Sequence, residues 1–184
     1  MNLLTSIQFA LISAFIQGHS YAKELSSPKT IKVFILAGQS NMEGHGLIKG
    51  RPDQKGTLDQ LTKDPATAKK YQRLKDHEGN WKVRDDVWIS WYEKRGKLTI
   101  GGYAGRGSIG PELGFGWAVG DHCNDPILLL KFGPGGTSLA GPWRPPSSGK
   151  NGDKQRGPGI GNQYNHLISS TKHQLENLNS EFPQ

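Results

Sequence analysis

Three stretches of this 184-residue chain carry residue types able to do chemistry, and each adjoins an element that would position it. Gly38-Gln39-Ser40-Asn41-Met42 comes directly after the apolar run Ile31-Lys32-Val33-Phe34-Ile35-Leu36-Ala37. A serine just past a buried strand sits where open α/β sheets bind their ligands, outside the carboxyl ends of the strands. Its hydroxyl meets solvent there, and backbone N–H groups at a helix start can hold a developing oxyanion. The same Gly-X-Ser also makes a plain tight turn with an N-cap, and the residues alone leave both readings open. The second stretch, Phe132-Gly133-Pro134-Gly135-Gly136-Thr137-Ser138-Leu139, also follows an apolar run. Adjacent glycines either bring backbone N–H groups close to a ligand or simply form a flexible loop. It is not a P-loop, because the Lys-Ser/Thr ending is missing. The third is Gly110-Pro111-Glu112-Leu113. Glu112 in a first helical turn meets the positive end of the helix dipole, with a substrate-facing role as the alternative.

The elements that must hold these residues can be read from pattern. Residues 31–37 are apolar and rich in β-branched side chains, as in a parallel strand buried on both faces. Residues 47–84 are polar, with one helix expected over 65–74 behind Asp64-Pro65 as N-cap and first helical position. A short strand is expected over 86–92, and the six glycines of 96–110 predict a loop. Pro111 opens a helix through about Cys123, with Leu113, Trp117 and Ala118 near one face and Cys123 as a small hydrophobe at its end. Pro126 to Phe132 reads as a second buried strand, and 133–161 as a Gly/Pro-rich loop. In the last helix Tyr164, Leu167, Ile168, Thr171, Leu175 and Leu178 follow helical spacing. Strand, helix, strand, helix in this order argues for α/β layering.

Bulk properties bound the function classes. Hydrophobic residues make up 34%, with 25 glycines and 11 prolines, which suits a globular enzyme with long loops. The formal charge is +7, but Lys and Arg are scattered, so no nucleic-acid partner is expected. The single cysteine, Cys123, excludes an internal disulfide and a thiol-based zinc site. Residues 1–22 lack Lys, Arg, Asp and Glu, hold an apolar centre over 11–16 and end Ser20-Tyr21-Ala22. That pattern reads as a signal peptide cleaved after Ala22, giving a secreted or periplasmic protein with no membrane association after cleavage. Residues 23–30 would be a linker, and 31–184 the folded region.

Ile35-Leu36-Ala37-Gly38-Gln39-Ser40-Asn41-Met42, then Gly110-Pro111-Glu112, then Gly135-Gly136-Thr137-Ser138-Leu139 resemble the first blocks of the sialate O-acetylesterase-like domain. That group includes acetylxylan esterases of carbohydrate esterase family six, within the SGNH-type hydrolases. The resemblance runs from about Ile31 to the end of the chain. It implies a flavodoxin-like three-layer α/β/α sandwich on a parallel sheet. It implies a serine esterase that removes acetyl groups from an acetylated carbohydrate, with no metal and no cofactor. By the same resemblance Ser40 is the nucleophile, and its N–H with one from Gly135 or Gly136 forms part of the oxyanion hole. Gln39, Asn41, Glu112 and Thr137 would support the site.

Two family blocks are not found. The family completes its triad with an Asp-x-x-His block, and a Trp-x-Gln-Gly segment adds to the oxyanion hole. None of His19, His45, His77, His122, His166 and His173 has an Asp three residues before it, and no Gln-Gly pair follows residue 22. His45 lies five residues past Ser40, His122 is expected at the far end of a helix, and His166 and His173 read as solvated on the last helix. The expectation is an N-terminal portion of the domain, with an unpaired strand edge and a tendency to aggregate. The alternative is a non-catalytic carbohydrate-binding remnant, whose Trp81, Trp88, Trp91, Tyr103 and Trp143 would stack on sugar rings.

Overall fold

A computed structural model describes residues 30–51, 54–148 and 159–182. The signal expected over 1–22, the linker expected over 23–30 except its last residue, and most of the loop 149–161 lie outside the described residues. Among the described residues four strands form one sheet: β1 (Lys32–Ala37), β2 (Arg84–Trp91), β3 (Lys94–Leu98) and β4 (Ile127–Phe132), in the order β1-β4-β2-β3. β4 pairs in parallel with β1 on one side, Lys32 against Ile127 through Ala37 against Phe132, and with β2 on the other. The β2–β3 hairpin is the antiparallel exception. Short helices α1 (Ser40–Glu43), α2 (Leu58–Leu61) and α3 (Ala68–Tyr71) follow β1. Then come α4 (Pro111–Gly120), α5 (Asn162–Glu176) and α6 (Leu178–Glu181).

Every residue of β4 is buried, and the period-2 alternation of a strand sorts its side chains onto two faces. Ile127 and Leu129 pack with Leu58, Leu74, Leu113 and Trp117, which come from the α2–α4 side. Leu128, Leu130 and Phe132 pack with Phe182, Leu167 and Leu178 from the α5–α6 side. The layering is therefore helix, sheet, helix, on a mostly parallel sheet. Each fully buried Leu or Ile here contributes about 1.5–3 kcal/mol. Close approach of α4 depends on Gly116, where a Cβ would lie 2.3 Å from Leu98 Cδ2 and 3.0 Å from Leu129 Cδ1.

Several expectations are corrected. β1 is not buried on both faces: only Leu36 is buried and Ile35 is 47% exposed, because among the described residues β1 is the outer strand with a single neighbour. The helix expected over 65–74 shrinks to α3 plus a 3-10 turn at Gln72–Leu74. Asp64 does not cap it. Its Oδ1 accepts from Ala66 N–H at 2.9 Å, which closes a local turn, and Thr67 becomes the residue before α3. The glycine-rich stretch from 96 holds the end of β3, since Gly96 pairs with Ile89 across the hairpin. α4 stops at Gly120, and Ala118 is exposed. In α5, Ile168 and Leu175 remain 37% and 43% exposed, so the helical spacing of apolar residues is wider than the face that is buried. Among the described residues, no helix is long and apolar enough to cross a membrane.

Candidate active site

β1 and β4 run in parallel and in register, so their carboxyl ends and the loops that follow them emerge side by side. Gly38 N–H donates to Phe132 O at 2.9 Å and ties the two exits together. The chain then turns into α1, with Ser40 half-buried at its first position. The turn is tight: a Cβ on Gly38 would lie 2.8 Å from Met42 Cβ. The Gly133 loop lies directly against α1, where a Cβ on Gly133 would come within 2.7 Å of Glu43 N. A Cβ on Gly135 would meet Glu43 Oε2 at 2.6 Å. Thus Ser40 opens α1, and the Gly133–Gly135 loop, far away in sequence, lies against the Glu43 end of the same short helix. Gly135 and Gly136 are exposed, as are Gln39 and Asn41, so the arrangement opens to solvent.

The supporting residues take distinct places. Gln39 Oε1 accepts the Ser40 N–H at 2.8 Å, so the amide assigned by resemblance to the oxyanion hole is capped by its own neighbour. Thr137 is buried and organises its loop: Oγ1 donates to Pro134 O at 2.8 Å and accepts from Trp143 Nε1 at 2.9 Å. Glu112 is buried. Its Oε1 accepts from Gly110 N–H at 2.8 Å, and its Oε2 pairs with Lys131 Nζ at 2.5 Å.

Lys131 links these parts, and sequence reasoning passed over it. Its side chain is fully buried, and Nζ also donates to Tyr103 O at 2.5 Å and to Glu43 O at 3.0 Å. One ammonium therefore joins α4, the loop before α4 and the C-terminal end of α1. A cation at a helix C-terminus meets the carbonyl groups it leaves unpaired. Burial pushes the Lys131 pKa below the ordinary lysine value, while the Glu112 carboxylate opposes that shift. Lys131 Nζ also lies 5.1 Å from the centroid of the Trp91 ring. The available signal was the single charge in the otherwise apolar run Ile127–Phe132.

Glu43 is the second residue missed. Its carboxylate lies beside Gly135, 3.6 Å from His45 Nε2. His45 also packs against the loop before α4, where a Cβ on Gly105 would lie 2.7 Å from its Cε1. Tyr92, just past β2, has a raised pKa, first from burial and second from the Glu43 charge. His166 lies edge-on to Phe132 at 5.9 Å, which places a second histidine at this end of the sheet. His166 and His173 are exposed, as expected, and both border a cavity against the sheet. His122 sits past the end of α4, its Nδ1 2.7 Å from Ala118 O. Among the described residues, no group of three or more His, Cys, Asp or Glu is placed to hold a metal ion. Of the aromatics considered for stacking on sugar, Trp91 and Tyr103 are buried in the core, and Trp81, Trp88 and Trp143 pack against it.

The profile of a family described as carbohydrate esterase, sialic acid-specific acetylesterase, matches residues 30–181. Among curated proteins, none matches the chain. A protein of Arabidopsis thaliana solved by X-ray crystallography is similar at 18% identity with a TM-score of 0.41. The similarity covers 79% of this chain and 51% of that one, so this chain spans about half of that protein's length.

Proposed function

The chain belongs to the sialic acid-specific acetylesterase family of carbohydrate esterases, and from that premise we propose a serine acetylesterase that uses Ser40 as its nucleophile. One observation supports the choice of residue: a half-buried serine opens a four-residue helix whose other end lies against the exposed Gly135, at the carboxyl ends of two parallel strands. Ser40 Oγ attacks the carbonyl carbon of a sugar O-acetyl group. The carbonyl oxygen becomes an oxyanion, held by the N–H of Gly135 or Gly136 and by that of Ser40 once the Gln39 carboxamide swings away. Collapse breaks the bond to the sugar oxygen, which takes up a proton, and leaves acetyl on Oγ. Water then cleaves this ester, releasing acetate and restoring the serine.

The proton must pass through a base within about 3 Å of Oγ. In the family that base is the imidazole of the Asp-x-x-His block, which these 184 residues do not contain. A serine deprived of its imidazole retains only what oxyanion stabilisation and binding supply, roughly 10³–10⁴-fold over water in related triads. The reading is tested by p-nitrophenyl acetate hydrolysis beside Ser40→Ala, with added imidazole standing in for the base. Export through residues 1–22 is part of the same proposal. N-terminal sequencing of the released protein should begin at Lys23, and an intact Met1 would refute export by cleavage.

A further inference from the structure

The acyl transfer leaves Glu43 without a task, yet its side chain stands on the nucleophile's side of α1. Glu43 N–H donates to Gln39 O at 2.8 Å and Gly44 N–H to Ser40 O at 3.0 Å, so residues 39–44 close one helical turn. Residues three apart on such a turn are neighbours, with Cβ atoms about 5–6 Å apart. Ser40 and Glu43 therefore share one side of α1, while Met42 packs against the core. The main chain of Glu43 is fixed at both ends. Gly133 lies against its N–H, and its carbonyl accepts from Lys131 Nζ at 3.0 Å. Only the carboxylate is uncommitted. The side chain is 26% exposed, and Oε2 lies 2.6 Å from where a Cβ on Gly135 would stand. Among the described residues neither carboxylate oxygen accepts a hydrogen bond, and the one ion-pair neighbour, His45 Nε2, stands at 3.6 Å. The Lys131 charge is matched by Glu112 at 2.5 Å. The field of Glu43 reaches Tyr92, whose pKa is raised first by burial and second by this charge. A carboxylate has about four acceptor sites, and one without protein donors is open to an O–H, N–H or ammonium group of a ligand.

We propose that Glu43 is a specificity-determining residue. It accepts a hydrogen bond from an O–H or N–H group beside the ester that Ser40 attacks, and it turns away substrates that carry a carboxylate at that place. The proposal rests on the Ser40 acetylesterase reading above. A carbonyl carbon poised for attack lies about 3–3.5 Å from Oγ, so the groups flanking the ester come within reach of a side chain one helical turn away. Hydrogen bonds to an ionised acceptor are roughly twice as strong as neutral ones, which makes the contact selective for donors. Repulsion supplies the other half of the selection. At about 6 Å and an effective dielectric between about 20 and 80, two like unit charges weaken binding about 3- to 100-fold. An ammonium at the same place gains by the same factor.

The test is a charge series at one position. The probes are methyl 4-O-acetyl-β-glucopyranoside, its 6-amino-6-deoxy analogue and the corresponding glucuronide, which place a hydroxyl, an ammonium or a carboxylate beside the ester. Each is titrated at pH 7.5 into the 184-residue chain carrying Ser40→Ala, followed by ¹H–¹⁵N NMR. The expected order of affinity is ammonium, hydroxyl, carboxylate, with the glucuronide at least about threefold weaker than the glucoside. Glu43→Gln should close that gap to under about twofold and leave the urea midpoint unchanged, since no protein hydrogen bond to the carboxylate is lost. Glu43→Asp keeps the charge and should keep the order. No saturable binding of the glucoside or its amino analogue, equal affinities for all three probes, or the same order in Glu43→Gln would overturn the role of Glu43. The expected order without Ser40-dependent hydrolysis of p-nitrophenyl acetate in the unsubstituted chain would support Glu43 as the selector and count against the esterase. Ser40-dependent hydrolysis without the order would remove the role of Glu43 alone.

Discussion

Replacing Lys131 by Met tests the role of the buried ammonium under α1. The substitution keeps an unbranched apolar stem but strips the charge from Glu112 Oε2 and the donor from Tyr103 O and Glu43 O. Removing one partner of a buried ion pair costs about 3–5 kcal/mol, because the other charge stays buried without compensation. Against a typical domain stability of about 5–15 kcal/mol, that is a large fraction. Glu112→Gln should cost a similar amount for the mirror reason. The double variant removes both charges, so its cost should fall short of the sum by at least about 2 kcal/mol. Urea titrations at pH 7, followed by tryptophan fluorescence, measure all three. A pH series adds a sign. The Lys131 pKa is lower in the folded chain than in the unfolded one, so between those two values stability rises with pH. Glu112→Gln removes the group that opposes this lowering, so its deficit should shrink from pH 7 toward pH 10. A loss under about 1 kcal/mol for Lys131→Met, or strict additivity in the cycle, would refute the bracing role.

Two further outcomes follow from local geometry. Gly44, at the exit of α1, has φ 81°, and a Cβ there would lie 2.3 Å from Gly110 Cα. Gly44→Ala is expected to cost about 2–5 kcal/mol from backbone strain plus overpacking, against about 1–2 kcal/mol for Gly56→Ala, which has the same φ in open space. Equal urea midpoints for the two would contradict the close approach. The Asp59 carboxyl, hydrogen-bonded to Lys63 and Lys75, is held down to about 2. Its contribution to stability is present above the unfolded value of 3.8 and is lost as pH falls toward 2. An NMR titration midpoint at or above 3.8 would refute it.

What the sequence disclosed depended on how local the governing physics was. β4 was legible because an apolar run of strand length bounded by Pro126 and Gly133 has few alternatives. α4 was legible from Gly110-Pro111, and its end was overrun because Asp121, His122 and Cys123 carry no stop signal. β1 has the same composition as a central strand, yet its burial depends on how many neighbours it acquires, which no window of residues encodes. β3 was hidden because Lys94, Arg95, Gly96 and Lys97 lack any apolar alternation, and pairing with β2 makes it a strand. At the site, the Ser40 turn and the Gly135-Gly136 loop were marked by strand ends and glycines. Lys131 and Glu43 were not, since their roles come from long-range contacts with residues near 103 and 112 and with the Gly135 loop.

The most direct measurement is hydrolysis of p-nitrophenyl acetate by the 184-residue chain and by its Ser40→Ala variant, across a series of imidazole concentrations. A Ser40 nucleophile predicts an increment over the variant that grows with imidazole, as the added base takes the proton from Oγ. Rates that coincide for the two proteins at every imidazole concentration would contradict a nucleophilic Ser40.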